Sequence, residues 1–212
     1  MTATTEREDG QGQAINFTCG DVLVDKKMPR KAPTVYRIKS NVELKYLGEY
    51  YEIVDELLKN NTRNKLIVNQ IVKEVNNGKK VLCLTKRINH GKTIKEMIGN
   101  KLKVFQLDST VKNKEELFRQ FRKDDNMFDV IVGTYSLLGT GVNLEILSSL
   151  IIAGPVRSKL LLTQSAGRCL RTMLNKPNVN IIDIVDNKVG IMSNQARNRK
   201  RVYIENDWKI ID

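Results

Sequence analysis

Apolar residues recur along this chain with two alternating periods. Leu47, Tyr50, Tyr51, Val54, Leu57 and Leu58 fall three and four apart, as do Leu66, Ile67, Ile71, Val72 and Val75, so each set predicts one face of an amphipathic helix. Asn77-Gly78 follows as a helix stop. Val81-Leu82-Cys83-Leu84-Thr85 is then an apolar run of strand length. Beyond it the pattern predicts a helix from about Lys92 to Ile98 and a strand over Val104 to Leu107. Next come a helix capped by Asn113 that buries Leu117, Phe118 and Phe121, and a strand over Asp129 to Thr134. A strand over Leu150 to Ala153, a helix from Ser158 through Leu174 and a strand over Val179 to Ile184 complete the series.

Short apolar strands separated by helices predict an α/β fold, with a parallel sheet and helices on both faces. Ligands of such sheets bind at the carboxyl ends of the strands. That points to Thr85 to Gly91, Thr134 to Asn143 and the start of the Ser158 helix. The first forty residues differ from the rest. They are polar and glycine-containing, and Met28-Pro29-Arg30-Lys31-Ala32-Pro33 is kept extended by its prolines.

Composition narrows the class. A chain of 212 residues with 41% hydrophobic content can bury one sizeable core. No apolar run approaches a membrane span, and Met1 to Gly20 lacks the apolar core of a signal peptide. The expected location is therefore cytoplasmic, with no membrane partner. Three scattered cysteines (Cys19, Cys83, Cys169) and a single histidine argue against a structural zinc site and suit a reducing compartment. No metal ligand set is expected. The formal charge of +12 fits either a polyanionic partner or a merely soluble basic surface.

Two motifs imitate nucleotide-binding chemistry. Gly91-Lys92-Thr93 opens a helix after a strand, as a phosphate loop does, but Lys86 stands where G-x-x-x-x-G-K-[ST] needs its first glycine. Asp55-Glu56 lies inside a helical pattern rather than at the end of a strand, so a solvated helix face is expected there. Gln164-Ser165-Ala166-Gly167-Arg168-Cys169-Leu170-Arg171 is different. Its Q-x-x-G-R-x-x-R spacing sets Gln164, Arg168 and Arg171 on one helix face, with Gly167 opening room for close approach. Two guanidiniums and an amide suit the charge that spreads over a transferring phosphoryl group. A solvated basic stripe beside Leu160, Leu161 and Leu170 has the same spacing.

That octet resembles motif VI of superfamily 2 helicases, and its surroundings match the family in order. Ile131 to Asn143 resembles motif V. Val81 to His90 resembles motif IV, including the Arg87-x-x-His90 spacing of the branch that holds the XPB and phage UvsW helicases. Gln106 to Thr110 and the helix after it resemble the stretch between them. Asp183-Ile184-Val185-Asp186 and Gln195-Ala196-Arg197 resemble the end of that branch. Thr2-Ala3-Thr4-Thr5-Glu6-Arg7-Glu8-Asp9-Gly10 resembles motif III and its sequel, and Met28 to Ile38 the inter-domain linker. Two positions depart from the pattern: Thr5 replaces a proline, and Asn143 replaces the motif V aspartate, keeping an acceptor but losing the charge.

The resemblance implies residues 1–38 as the end of a first RecA-like domain plus linker, and residues 39–212 as a second RecA-like domain. It implies ATP and Mg²⁺ held mainly by a complementary N-terminal half carrying the phosphate loop and acidic motif. This chain, from a split gene or a fragment, would then be inactive alone. Arg168, Arg171 and Gln164 would be catalytic. Gly141, Asn143 and Gly167 would join them in contacting the nucleotide. Thr2, Ala3 and Thr4 would couple the domains. DNA would run over Thr85, Lys86, Arg87 and Thr134, with Arg197, Arg199, Lys200 and Arg201 as weaker contacts. The branch points to DNA repair or recombination in a phage. The rival expectations are a non-catalytic binding module derived from a helicase, and a small phosphotransferase built on Gly91-Lys92-Thr93.

Overall fold

The computed structural model describes residues 32–44, 48–108, 110–111, 113–140, 145–158, 162–163, 165–166 and 178–212, with the side chains of 138–140 excepted. Among them, seven strands form one sheet: β1 (Thr34–Lys39), β2 (Lys80–Thr85), β3 (Val104–Leu107), β4 (Val130–Thr134), β5 (Leu147–Ile152), β6 (Asn180–Val185) and β7 (Lys209–Ile211). Their order is β3-β4-β2-β5-β6-β1-β7, and every pairing is parallel. All the carboxyl ends therefore lie along one edge. The fold class is as expected from the sequence.

The central strands are buried on both faces, which is why they read as unbroken apolar runs. Alternate residues of β2 serve opposite layers. Val81 and Cys83 pack with Ile67 and Ile71 of α2 (Asn61–Asn76) and Ile94 and Ile98 of α3 (Ile88–Ile98). Leu82 and Leu84 face the other layer, with Phe118 and Phe121 of α4 (Lys114–Lys123) and Val202 and Tyr203 of α5 (Gly190–Glu205). Leu162 and Ala166 pack into that second layer. Both have helical backbone, and the Leu162 amide donates to the Ser158 carbonyl at 3.2 Å.

Helix α1 (Tyr50–Lys59) stands apart from both layers. Its Ile53, Val54, Leu57 and Leu58 pack with Val42, Val189 and Met192, residues that follow β1 and β6, so the helix sits at the carboxyl edge. The Asn60 side chain caps α2 by accepting from the Arg63 amide at 3.0 Å. That helix stops at Gly78, whose φ of +73° lets its amide turn back to the Val75 carbonyl at 2.8 Å.

Three expectations change. Residues 34–38, which resemble the linker, belong to β1, in register with β6 from Thr34↔Asn180 onwards. Asn113 precedes α4 as expected but adopts a left-handed backbone, and its side chain makes no capping bond. Helix α3 starts at Ile88 rather than Lys92, which places Gly91-Lys92-Thr93 within its first turns.

Candidate nucleic-acid interface

Four strand ends, those of β2, β3, β4 and β5, open into a cavity of about 920 Å³. Lys86 and Arg87 line it from the β2–α3 turn, Lys92 from α3 itself, Asp108 and Thr110 from beyond β3, Thr134 and Ser136 from the end of β4, and Arg157 from beyond β5. Four cations and one carboxylate thus share the lining. Asp108 is nearly buried and accepts from the Thr110 hydroxyl at 2.5 Å, the Thr110 amide at 2.9 Å and Gln106 Nε2 at 3.3 Å. Those bonds, the Thr110 hydroxyl first, hold its pKa below the usual carboxylate range. Asp108 therefore stays ionised with its oxygens engaged in its own loop, and the four cations of the lining outnumber it. The Thr134 and Ser136 hydroxyls lie 2.7 Å apart. Such a paired hydroxyl edge beside cations suits an anionic oxygen.

The floor is built by the segment after β5. Its amides at Ala153 and Gly154 both donate to the Leu84 carbonyl, at 3.0 and 2.9 Å. Its carbonyls are taken by three side chains from three elements. Arg63 of α2 donates to Ala153, Tyr135 to Gly154, both at 2.7 Å, and Arg199 of α5 to Val156 at 3.4 Å. Gly154 has no room for a side chain, because a Cβ there would lie 2.4 Å from the Lys86 amide nitrogen. The turn carrying Lys86 and Arg87 thereby rests on the segment that leads to Ser158. Two buried ion pairs anchor the supports. Arg63, 1% exposed, grips Asp186 at 2.8 and 3.1 Å, and Arg199 holds Asp183 at 2.7 and 2.9 Å with the Tyr203 phenol as a third partner.

The sequence-predicted residues divide accordingly. Lys86, Arg87 and Thr134 meet at the cavity. Thr85 does not: it is 1% exposed, and its hydroxyl donates to the Arg87 and Gly133 carbonyls at 3.2 and 3.4 Å, so it braces the turn from beneath. Arg199 is likewise buried against Asp183, and Lys200 pairs with Asp212 at 2.6 Å, whereas Arg197 and Arg201 are exposed. Gly91 packs against β4, where a Cβ would lie 3.3 Å from Val132 Cγ1, and its amide donates to Arg87. That glycine serves helix-to-sheet contact, and its amide is already committed. Asp55 lies on α1 and pairs with Arg87 at 3.3 Å.

Thr2, Ala3, Thr4, Gly141, Asn143, Gln164, Gly167, Arg168 and Arg171 lie outside the described residues, as do Cys19 and Cys169. Cys83 is buried, and desolvation pushes its thiol up to about 12, so it is an unreactive core residue. Among the described residues no group of three or more His, Cys, Asp or Glu side chains could hold a metal ion, and no helix is long and apolar enough to cross a membrane. Asp108 and Arg157 line the cavity outside the segments expected from the sequence, and Ser136 lies within the expected Thr134 to Asn143 stretch. The signal for Arg157 was present, since Gly154-Pro155-Val156-Arg157 directly follows an apolar strand.

Comparison with known proteins places this architecture. The ATP-dependent DNA helicase uvsW of Enterobacteria phage T4 is 26% identical over 140 residues, covering 66% of this chain and 28% of that protein. The 161L protein of Invertebrate iridescent virus 6, whose name proposes a helicase, is 28% identical over 222 residues, covering 96% of this chain and 48% of that one. This chain thus spans less than half the length of either relative. The crystal structure of T4 UvsW superposes with a TM-score of 0.69 at 20% identity, covering 84% of this chain and 40% of that one. The model of the helicase conserved C-terminal domain matches residues 49–173. With more than half of its length matched, and with a RecA-like parallel sheet, the chain belongs to the helicase conserved C-terminal domain family.

Proposed function

We propose that this chain is the C-terminal half of an ATP-dependent DNA helicase or translocase, carrying part of the nucleic-acid track and the arginines that complete an ATP site. The observation that carries the reading is the cavity at the carboxyl edge, which Lys86, Arg87, Lys92 and Arg157 line together with the Thr134–Ser136 hydroxyl pair. A nucleic-acid backbone is the polyanion that such an edge suits within this family. Lys86, Arg87 and Thr134 take phosphate oxygens, and Thr85 fixes the turn that presents them.

ATP would supply the phosphoryl transfer that drives closing and opening of a two-domain cleft, with Mg²⁺ and most phosphate contacts on the complementary half. In this chain Arg168 and Arg171 serve as the finger residues, Gln164 orients the phosphate or attacking water, and Gly141, Asn143 and Gly167 shape the nucleotide's near wall. Support for that assignment is the Q-x-x-G-R-x-x-R octet following the clamped Ala153–Val156 segment. Thr2, Ala3 and Thr4 link the halves.

The test mixes this chain with a separately produced family half bearing a phosphate loop and acidic motif. The lone chain binds DNA without hydrolysing ATP, and the mixture gains DNA-stimulated ATPase. Arg171→Ala lowers that gain by on the order of 10³ while leaving DNA affinity of the lone chain unchanged. Hydrolysis surviving Arg171→Ala sinks the finger assignment. A mixture that never gains ATPase leaves a non-catalytic DNA-binding module as the better reading.

A further inference from the structure

Helix α1 buries Ile53, Val54, Leu57 and Leu58, yet it presents a tyrosine away from that face. Tyr51 is 59% exposed, and its phenol has no hydrogen-bond partner among the described residues. Nothing in the core accounts for a ring at this position.

Its neighbours suggest a use. Asp55, one turn further along and on the same side of α1, reaches Nη2 of Arg87 at 3.3 Å, and Arg87 lines the cation-rich cavity. Tyr51 lies four residues before Asp55 and so shares its side of the helix. Tyr50 stands beside it, 38% exposed, accepting from Gln195 Nε2 at 3.3 Å, and Ile191, 42% exposed, lies one turn before Gln195 on α5. Two exposed rings and an exposed aliphatic side chain thus lie on the elements next to Asp55, whose partner Arg87 lines the cavity.

We infer that Tyr51 is a stacking platform for a base of single-stranded nucleic acid whose phosphates lie in that cavity, an inference that rests on the cavity reading above. Cations tracking a backbone beside an aromatic face are the two parts that single-strand binding combines. Asp55 adds direction. Its carboxylate repels phosphate from the α1 side while holding Arg87, so a strand seated on Lys86, Arg87 and Lys92 turns its bases towards α1. A duplex keeps its base faces stacked inside and cannot use the ring.

The test is fluorescence anisotropy with the whole chain, using a short labelled oligothymidylate and an abasic oligomer of equal length. The unmodified chain binds the thymidylate about tenfold more tightly than the abasic strand. Tyr51→Ala removes that preference and leaves abasic binding as it was, Tyr51→Phe keeps the preference, and Arg87→Ala weakens both oligomers alike. A preference that survives Tyr51→Ala, or one absent from an unmodified chain that binds both strands, overturns the inference. Failure of the unmodified chain to bind either strand instead sinks the cavity reading, and the platform with it.

Discussion

The phenol of Tyr135, at the end of β4, donates a 2.7 Å hydrogen bond to the Gly154 carbonyl beyond β5. Tyr135 sits between Thr134 and Ser136, whose hydroxyls face the cavity, while its own ring turns inward. Burial raises its pKa well above the usual phenol value, so the hydroxyl remains a donor across the working pH range. One residue thus ties the hydroxyl edge to the segment that leads into Ser158.

Removing that tie and crowding that segment should cost different amounts. Tyr135→Phe keeps the ring and strands a buried carbonyl, lowering stability by about 1–3 kcal/mol. Gly154→Ala forces a methyl against the backbone of Lys86 and costs about 3 kcal/mol or more. Urea unfolding of both variants checks the order. A neutral Gly154→Ala contradicts the close approach of the two turns.

The Arg63–Asp186 pair is the second case. Both side chains are buried, so Arg63→Met leaves a carboxylate uncompensated and destabilises by about 3–5 kcal/mol. Removing Asp186 as well, as Arg63→Met with Asp186→Leu, recovers much of the loss, because no lone charge then remains. A double-mutant cycle by chemical unfolding measures this. Additive losses would mean that the pair is not coupled.

His90 yields a pH dependence with a clear owner, since it is the chain's single histidine. The Asn64 amide nitrogen donates to the Leu58 carbonyl, so its oxygen faces His90 Nε2 at 3.0 Å and fixes the hydrogen there. Burial first, and then the Arg63 charge, lower the folded pKa to about 3. The unfolded chain, with an ordinary imidazole near 6.5, therefore binds a proton at higher pH than the folded one. The stability involved is fully present above about 6.5 and is lost as pH falls towards 3. Between pH 7.5 and 5.5 the loss is about 1 kcal/mol. His90→Gln abolishes that slope in urea titrations at the two pH values, and a slope that persists assigns it to carboxylates instead.

How much of this was legible beforehand follows from where each residue's partner lies. The β2, β4 and β6 runs declared themselves because both faces of those strands are buried. β1 did not. In Thr34-Val35-Tyr36-Arg37-Ile38-Lys39 only Val35 is fully buried, and the preceding prolines mask the start. Arg199 read as one more exposed cation because its partner, Asp183, lies on a different element and is found only once α5 packs on the sheet. Thr85 and Thr134 occupy equivalent strand ends by sequence and pair in register across β2 and β4. Only the structure separates the buried brace, Thr85, from Thr134, which lines the cavity. The octet from Gln164 to Arg171 was legible as a spacing alone.

The two borders of the sheet are both short, β3 with four residues and β7 with three. β7 covers β1 over Thr34 to Tyr36, and Asp212 just beyond it engages Arg37 and Lys200. A brief, charged margin offers little ladder for a foreign strand to extend, which guards against edge-to-edge aggregation. Lengthening the sheet sideways is thus a poor route for companion molecules, which leaves the helical faces and the rim where the strands finish.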